Sequence, residues 1–239
     1  YFRQRHGYTP AKAFRKTYRN HFLFGQMILD RFAVYAGQRD RFTVENPDND
    51  RFLPMLDRAE GCIIVGAHVG NPELCGYLLG QRSKRIHCLI FGNEAHEVQK
   101  NRAATLADNF VRLIPVSDDL SHLFAISQAL SAGEIVSMPA DRIMGNARSV
   151  TCDFLGAPAP FPVGAFALAT QFNVPVLALF VLKVGTLRYR IRVIPVGQPS
   201  DLVAKRTRME DMTRAFAREL ESVVRQYPEQ WFNFYPFWK

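Results

Sequence analysis

The chain has 239 residues, 48% of them hydrophobic and 22% charged, with a formal net charge of +8, so it holds enough apolar material for one sizeable core. Its longest apolar stretch, residues 174–182, is far short of the about 20 residues that a membrane-spanning helix needs. The cysteines have neither the pairing of a zinc site nor the density of a disulfide scaffold, so we expect reduced core thiols at Cys62, Cys75, Cys88 and Cys152.

The first 41 residues carry most of the positive charge. Nine Lys and Arg side chains against Asp30 and Asp40 give this segment a net charge of +7. The chain opens at Tyr1 with no apolar signal-like start, and we expect an upstream part, such as a membrane anchor, to precede it.

Between Pro10 and Gly37, apolar residues recur at helical spacings with arginines between them, which predicts one long or two short amphipathic helices. The apolar residues are Phe14, Tyr18, Phe22, Met27, Leu29 and Phe32. Two interpretations stay open for the basic face: it is solvated on a helix packed against the core, or it lies on anionic lipid. We assign residues 1–45 to this basic helical segment and residues 46–239 to an α/β domain.

From residue 50 onward, β-branched runs alternate with helical patterns, which predicts an α/β fold. We expect a mixed, largely parallel central sheet flanked by helices, with the N-terminal segment as a helical cap. Strands are predicted at residues 62–65, 86–91, 111–116, 135–138 and 174–182. Helices are predicted at residues 72–79, 94–110, 120–132, 163–172 and 204–225. Basic and apolar residues alternate over residues 187–196, which indicates a strand with one wet face near a sheet edge.

The most informative segment follows the first buried strand, which ends at Gly66. A short turn delivers His68 at the carboxyl end of that strand, where open α/β sheets place ligand sites. Asn71 is suited to a helix N-cap and Pro72 to the first helical position. Glu73 then lies in the first turn, and we expect its carboxylate to accept one imidazole N–H of His68 and leave the other nitrogen as a general base.

The nucleophile on which this base acts is predicted to come from the substrate. The chain has no G-x-S-x-G motif, and no cysteine is spaced for pairing with a histidine. A base, its orienting carboxylate and a group that stabilises an oxyanion suffice to activate an acceptor hydroxyl or amine against a reactive carbonyl. Gly70 would give the turn and a substrate close access to the backbone.

Two further segments support an active site at this edge. Residues 134–145 form another buried strand that ends in Asp141 and Arg142, followed by Gly145. Residues 153–164 form a Gly/Pro-rich apolar loop that opens a helix, and this loop could line an acyl channel.

Residues 61–164 carry an ordered set of motifs that resembles the late acyltransferases of lipid A biosynthesis, a branch of the glycerolipid and lysophospholipid acyltransferases. The motifs are His68-x4-Glu73, Ala140-Asp141-Arg142 with Gly145, Phe154-Leu155-Gly156-x-Pro158, Val174-Pro175-Val176 and the tail Pro228-Glu229-Gln230-Trp231-Phe232-Asn233-Phe234. The order of these blocks is more specific than the H-x4-E signature alone.

The resemblance implies roles for individual residues. His68 would be the general base and Glu73 its orienter, while Asp141 and Arg142 would shape the acceptor and phosphate region. Many related enzymes carry Gln or His after the aspartate, where this chain has Arg142. The identity of the acceptor therefore stays open. Arg102 and Arg112 are both candidates for a phosphate-binding arginine, and Arg102 is our choice together with the substrate-binding positions Asn71 and Gly145.

The implied reaction moves a fatty acyl group from acyl carrier protein or acyl-CoA to a hydroxyl or amine of a lipid A-like, lysophospholipid or aminolipid acceptor. It needs no metal and no bound cofactor, and it is expected at the cytoplasmic face of the bacterial inner membrane. The nearest alternative is a thioesterase or lipid hydrolase in which the same base activates water. A non-catalytic nucleic-acid or membrane-binding module is the more distant alternative, and nucleic acid is disfavoured because the basic residues carry no recognisable reading motif.

Overall fold

A central sheet of seven strands organises the molecule. The structure is a computed structural model that describes residues 1–48, 50, 54, 58–74, 84–90, 111–116, 119, 121–143, 145 and 147–238. The strands of the sheet are β1 (Thr43–Glu45), β2 (Cys62–Gly66), β3 (Ile86–Ile90), β4 (Val111–Pro115), β5 (Ile135–Pro139), β8 (Val176–Lys183) and β9 (Arg188–Gly197). Their spatial order is β1-β9-β8-β2-β5-β3-β4. Only β8 and β9 pair antiparallel among these described neighbours, which confirms the predicted mixed, largely parallel α/β fold.

Four α-helices are present among the described residues, and they agree with the predicted pattern. They are α1 (Pro10–Tyr35), α2 (Ser121–Ser131), α3 (Gly164–Phe172) and α4 (Lys205–Gln226). The predicted helix at residues 94–110, most of the predicted helix at residues 72–79, and Cys75 lie outside the described residues. None of the described helices is both long enough and apolar enough to cross a membrane.

Apolar layers cover both faces of the sheet. Helices α2, α3 and α4 pack on one face around Phe166 and Phe216, and the end of α1 packs on the other face around Val34 and Leu74. Every residue of β8 is buried, as expected for a central strand covered on both sides. Cys62 and Cys152 are free thiols buried in this core, and burial raises the pKa of Cys62 to about 11.

The Gly/Pro-rich segment that the sequence indicated as a loop is instead a β-hairpin, so that prediction was wrong. Strands β6 (Ser149–Phe154) and β7 (Ala157–Pro162) pair antiparallel around a turn in which Leu155 and Gly156 have positive φ angles. Prolines are tolerated in a two-stranded hairpin because only one side of each strand needs N–H donors. Whether this hairpin lines an acyl channel stays a prediction.

The N-terminal segment contributes to the sheet as well as to the cap. One continuous helix, α1, spans the region predicted to hold one or two helices, and its N-cap Thr9 accepts a hydrogen bond from the Lys12 backbone at 3.4 Å. Strand β1 then pairs in parallel with β9, which makes β9 the strand next to an edge, as its alternating pattern indicated. The division of the chain at residue 45 stays a prediction.

Candidate active site

Two neighbouring parallel strands end together at the candidate site. Strands β2 and β5 are paired so that Gly66 lies opposite Pro139, and the backbone N–H of Ala140 donates to the Gly66 carbonyl at 2.9 Å. Because the carboxyl ends of parallel strands meet at one edge, the loops after them bring His68 and Asp141 together. The sheet therefore joins two residues that are 73 positions apart in the chain.

The carboxylate of Asp141 holds His68 at two points. Its Oδ1 lies 2.8 Å from the ring Nδ1 of His68, and its Oδ2 accepts the His68 backbone N–H at 2.9 Å. The indole N–H of Trp231 also points at Oδ2, at 3.4 Å. These contacts fix the carboxylate, the imidazole ring and the loop backbone in one arrangement.

The protonation states follow from this geometry. Burial of Asp141, whose side chain has no exposed surface, would raise the pKa of its carboxyl group. The hydrogen bonds and charge of His68, together with the charge of Arg142, outweigh burial, and the net effect lowers the pKa of Asp141 below its ordinary value. An ionised carboxylate can only accept hydrogen bonds, so Nδ1 of His68 is the donor to Asp141, and in the neutral form of the ring the lone pair is then on Nε2.

The imidazole of His68 is accessible to solvent. Its side chain is 36% exposed, whereas the carboxylate behind it is fully buried. A ring held at Nδ1 and exposed beyond it has the arrangement of a general base oriented by a carboxylate.

Glu73 was predicted to orient the imidazole, but the structure gives the hydrogen bond at Nδ1 to Asp141. Glu73 lies in a 3-10 turn, Pro72–Leu74, in the same loop. Its Oε1 accepts from the Arg31 guanidinium at 2.5 Å, and its Oε2 accepts from the Tyr35 hydroxyl at 3.0 Å. Both donors belong to α1, so Glu73 joins the His68 loop to the N-terminal helix.

Gly70 lets the His68 loop lie directly on strand β8. Its φ angle is +65°, and a Cβ at this position would come within 2.0 Å of the Val181 carbonyl oxygen. The next residue, Asn71, donates its backbone N–H to that carbonyl at 2.8 Å and its side-chain amide to the Met27 carbonyl of α1 at 3.0 Å. Asn71 was predicted to contact substrate. In this structure it is fully buried, and its two hydrogen bonds attach the loop to β8 and α1.

The aromatic tail closes the other side of the site. The backbone N–H of Phe232 donates to the His68 carbonyl at 2.8 Å, and Arg142 donates to the Phe232 carbonyl at 2.9 Å. The Arg142 guanidinium also lies 5.3 Å from the centre of the Tyr235 ring, and the Tyr235 hydroxyl donates to the Asp141 carbonyl at 3.2 Å. Half-buried Arg142 is therefore attached to the tail beside Asp141.

The remaining predicted site residues lie in different places. Gly145 is exposed, with a φ angle of +56°, in the segment after Asp141. Arg112 lies exposed on β4, the edge strand farthest from β1. Arg102 lies outside the described residues. Among the residues that the structure describes, no three His, Cys, Asp or Glu side chains cluster as metal ligands.

Sequence reasoning missed the residues that hold the site from a distance. Arg31 and Tyr35 lie within the segment predicted as amphipathic helix, and Trp231 and Tyr235 lie within or directly after the tail motif, but no sequence pattern assigned any of them a place at the site. No spacing rule connects these segments to His68, because their contacts are formed by the sheet and by the docking of α1. The appearance of acid and base residues after two buried strands was the one usable signal for the pairing of His68 with Asp141.

Comparison with known proteins identifies the family of the chain. No curated protein matches the chain. The family model described as bacterial lipid A biosynthesis acyltransferase matches residues 15–239, which include α1 from Arg15 onward, the His68 loop, Asp141 and the tail. The chain therefore belongs to the bacterial lipid A biosynthesis acyltransferase family.

Proposed function

We propose that this acyltransferase moves a fatty acyl group from the thioester of acyl carrier protein or CoA to a lipid hydroxyl or amine, with His68 as general base and Asp141 as its orienter. The observation that carries the mechanism is the hydrogen bond of 2.8 Å between His68 Nδ1 and the buried Asp141 carboxylate. The His68 side chain itself is 36% exposed. This proposal moves the orienting role from Glu73 to Asp141.

The reaction needs no nucleophile from the protein. Nε2 of His68 takes the proton of the acceptor O–H or N–H as the acceptor atom forms a bond to the thioester carbonyl carbon. Asp141 stabilises the imidazolium cation that results. When the tetrahedral intermediate collapses, the C–S bond breaks, and the leaving thiolate receives the proton from His68.

We assign the other predicted residues to the surroundings of this reaction. Arg142 and Gly145 follow Asp141 and would face the acceptor, with Arg102 as the proposed phosphate ligand. Asn71 and Glu73 would keep the loop attached to α1. The acceptor would be lipid A-like, a lysophospholipid or an aminolipid, and the reaction would take place at the cytoplasmic face of the inner membrane, without nucleic acid as a partner and without a metal or bound cofactor.

Substitutions at the dyad test the mechanism. With acyl carrier protein or CoA thioester and a panel of the three acceptor classes, His68→Ala should lower the transfer rate by about 10²–10⁴-fold, because a positioned base contributes that much. Asp141→Asn should lower the rate by a similar factor, because an amide favours the wrong imidazole tautomer. Glu73→Gln should lower it less, since the amide oxygen still accepts a hydrogen bond from Arg31 or Tyr35.

The matched control is Asp211→Asn, which alters an exposed carboxylate on α4 and should leave the rate unchanged. Circular dichroism would establish that all four variants are folded. A Glu73→Gln variant that is as inactive as His68→Ala, beside an active Asp141→Asn, would contradict the assignment of Asp141. Complete thioester hydrolysis at the same rate with and without acceptor would show a hydrolase in which His68 activates water.

A further inference from the structure

Helix α1 displays an apolar stripe to solvent. The stripe is made of five large side chains, each between 55% and 77% exposed: Phe14, Tyr18, Phe22, Leu29 and Phe32. Large apolar side chains gathered on one face mark an interaction surface, whereas single exposed ones are ordinary.

The five residues share one side of the helix. At about 100° per residue they fall within an arc of about 80°, and the helix of 26 residues is about 39 Å long. The buried residues Asn20, Met27 and Val34 lie on the opposite side. There, the Asn20 amide donates to the Glu229 carbonyl at 2.8 Å, which fixes the rotation of the helix. The stripe is therefore held facing outward by the fold.

The two flanks of the stripe differ in charge. Lys12, Arg15 and Arg19 lie exposed along one flank. On the other flank, the Phe24 ring packs against the rings of Phe232 and Phe234, with centroids 5.1 Å and 5.4 Å away. The apolar surface therefore continues from α1 into the tail, whose Phe232 is bonded to the His68 loop.

We propose that the α1 stripe docks on a bilayer with anionic headgroups and thereby holds the loop that carries His68 close to the membrane surface. An amphipathic helix with aromatic side chains on one face and Lys and Arg beside them lies in the plane of a membrane interface, with its apolar face about 5–10 Å deep. The local net charge of +7 in residues 1–41 complements acidic headgroups and favours a membrane over a neutral protein partner.

Docking through α1 bears directly on the reaction centre. From faces of α1 outside the stripe, Arg31 and Tyr35 hold Glu73, and the Met27 carbonyl holds Asn71. With the stripe docked, the His68 loop is held about 10–12 Å from the bilayer surface, one helix diameter, which keeps His68 near an acceptor embedded in the membrane. Only this consequence rests on the proposed function, because the docking itself follows from the exposed side chains and charges of α1.

Vesicle flotation with the full chain tests the proposal. Wild-type protein should float with vesicles of phosphatidylethanolamine and phosphatidylglycerol, and less with phosphatidylcholine alone. The triple variant Phe14→Ser, Phe22→Ser, Leu29→Ser should partition at least about tenfold less, because the apolar area that enters the interface is lost. Arg15→Glu with Arg19→Glu should also lower partitioning by at least about tenfold on anionic vesicles, and added salt should lower wild-type partitioning.

Matched controls come from exposed residues elsewhere. Phe124 is 79% exposed on α2 and Leu202 is 99% exposed before α4, so Phe124→Ser with Leu202→Ser removes comparable apolar surface away from the stripe. Arg218→Glu reverses an exposed charge on α4. Both controls should float like wild type.

Several outcomes would overturn the proposal. The proposal fails if the stripe variants float like wild type. It also fails if the control variants lose as much partitioning as the stripe variants. Dimers that light scattering detects in the wild type but not in the stripe variant, without vesicle binding, would assign the stripe to a second copy of the chain. His68→Ala should float like wild type, and the stripe variant should keep its rate on acceptor dispersed in detergent, so failure of docking and failure of the catalytic proposal are distinguishable.

Discussion

At the residue scale, the identity of the carboxylate beside His68 depends on strand order. Glu73 is five positions from His68 and was the obvious partner by spacing, whereas Asp141 is 73 positions away. The pairing of β2 with β5 brings the distant residue onto the imidazole ring. Glu73 instead accepts hydrogen bonds from Arg31 and Tyr35, which both belong to α1.

The lowered pKa of Asp141 predicts how acid affects stability. In the unfolded chain this carboxyl group takes up a proton near its ordinary value of about 3.9, while the folded protein still keeps it ionised. Its contribution to stability is therefore complete above that value and is lost as the pH falls through the lower folded pKa. The difference in the free energy of unfolding between wild type and Asp141→Asn should shrink as the pH is lowered from 7 to 3.

Urea unfolding followed by tryptophan fluorescence at several pH values would measure this difference. The amide introduced by Asp141→Asn cannot ionise, so the variant lacks the titration of this one group and isolates its contribution. A difference that stays constant down to pH 3 would contradict the lowered pKa of Asp141 in the folded protein.

At the element scale, the loop between β2 and the Pro72–Leu74 turn requires glycine at position 70. Gly70→Ala would combine a positive φ angle with a Cβ 2.0 Å from the Val181 carbonyl oxygen. We expect the free energy of unfolding to fall by about 2–5 kcal/mol, from backbone strain and overpacking together. Transfer activity should fall further than stability, because the shifted loop carries His68.

The control for Gly70→Ala is Gly156→Ala in the β6–β7 turn. Gly156 also has a positive φ angle, +76°, but a Cβ there would meet no described atom within 4 Å. This variant should lose only the strain of about 1–2 kcal/mol. Equal losses of stability in the two variants, measured by urea unfolding, would show that contact with β8 does not set the requirement at Gly70.

At the scale of the whole molecule, a buried polar cluster attaches α1 to the sheet. Lys183, at the end of β8, lies 2.5 Å from the Asp30 carboxylate of α1, and Tyr189 of β9 donates to the same carboxylate at 2.5 Å. All three residues are buried. Because α1 also holds Glu73 and displays the apolar stripe, this cluster connects the proposed membrane surface with the active site.

Lys183→Met should lower the free energy of unfolding by about 3–5 kcal/mol, because it leaves the Asp30 charge buried without its cation. Adding Asp30→Asn should recover much of that loss, since the amide is neutral and still accepts from Tyr189. Arg206→Met, at the exposed ion pair with Glu210, is the control and should have little effect. Urea unfolding of the four proteins measures these differences, and a double variant no more stable than Lys183→Met would contradict an ionic origin.

Much of the fold could be predicted because its signals are local. The runs that form β2, β3, β4, β5 and β8 are predominantly apolar, and the periodicity of α2, α3 and α4 is set by residues within a few turns. The β6–β7 hairpin was missed because Pro158, Pro160 and Pro162 suggested a loop, and the pairing that accommodates them exists only between the two strands. Strand β1 was missed because a strand of three residues is too short to show the alternation of apolar and polar side chains.

The sequence by itself determined the α/β class, the position of His68 at the end of a buried strand, the basic amphipathic helix and the resemblance to the acyltransferase family. These features depend on residue type and spacing within short segments, where periodicity is directly visible. Tertiary structure alone decided that Asp141 is hydrogen-bonded to His68, that Glu73 is hydrogen-bonded to α1, and that the apolar stripe of α1 faces solvent. Each of these depends on contacts between segments far apart in the chain, and strand order and helix docking determine those contacts.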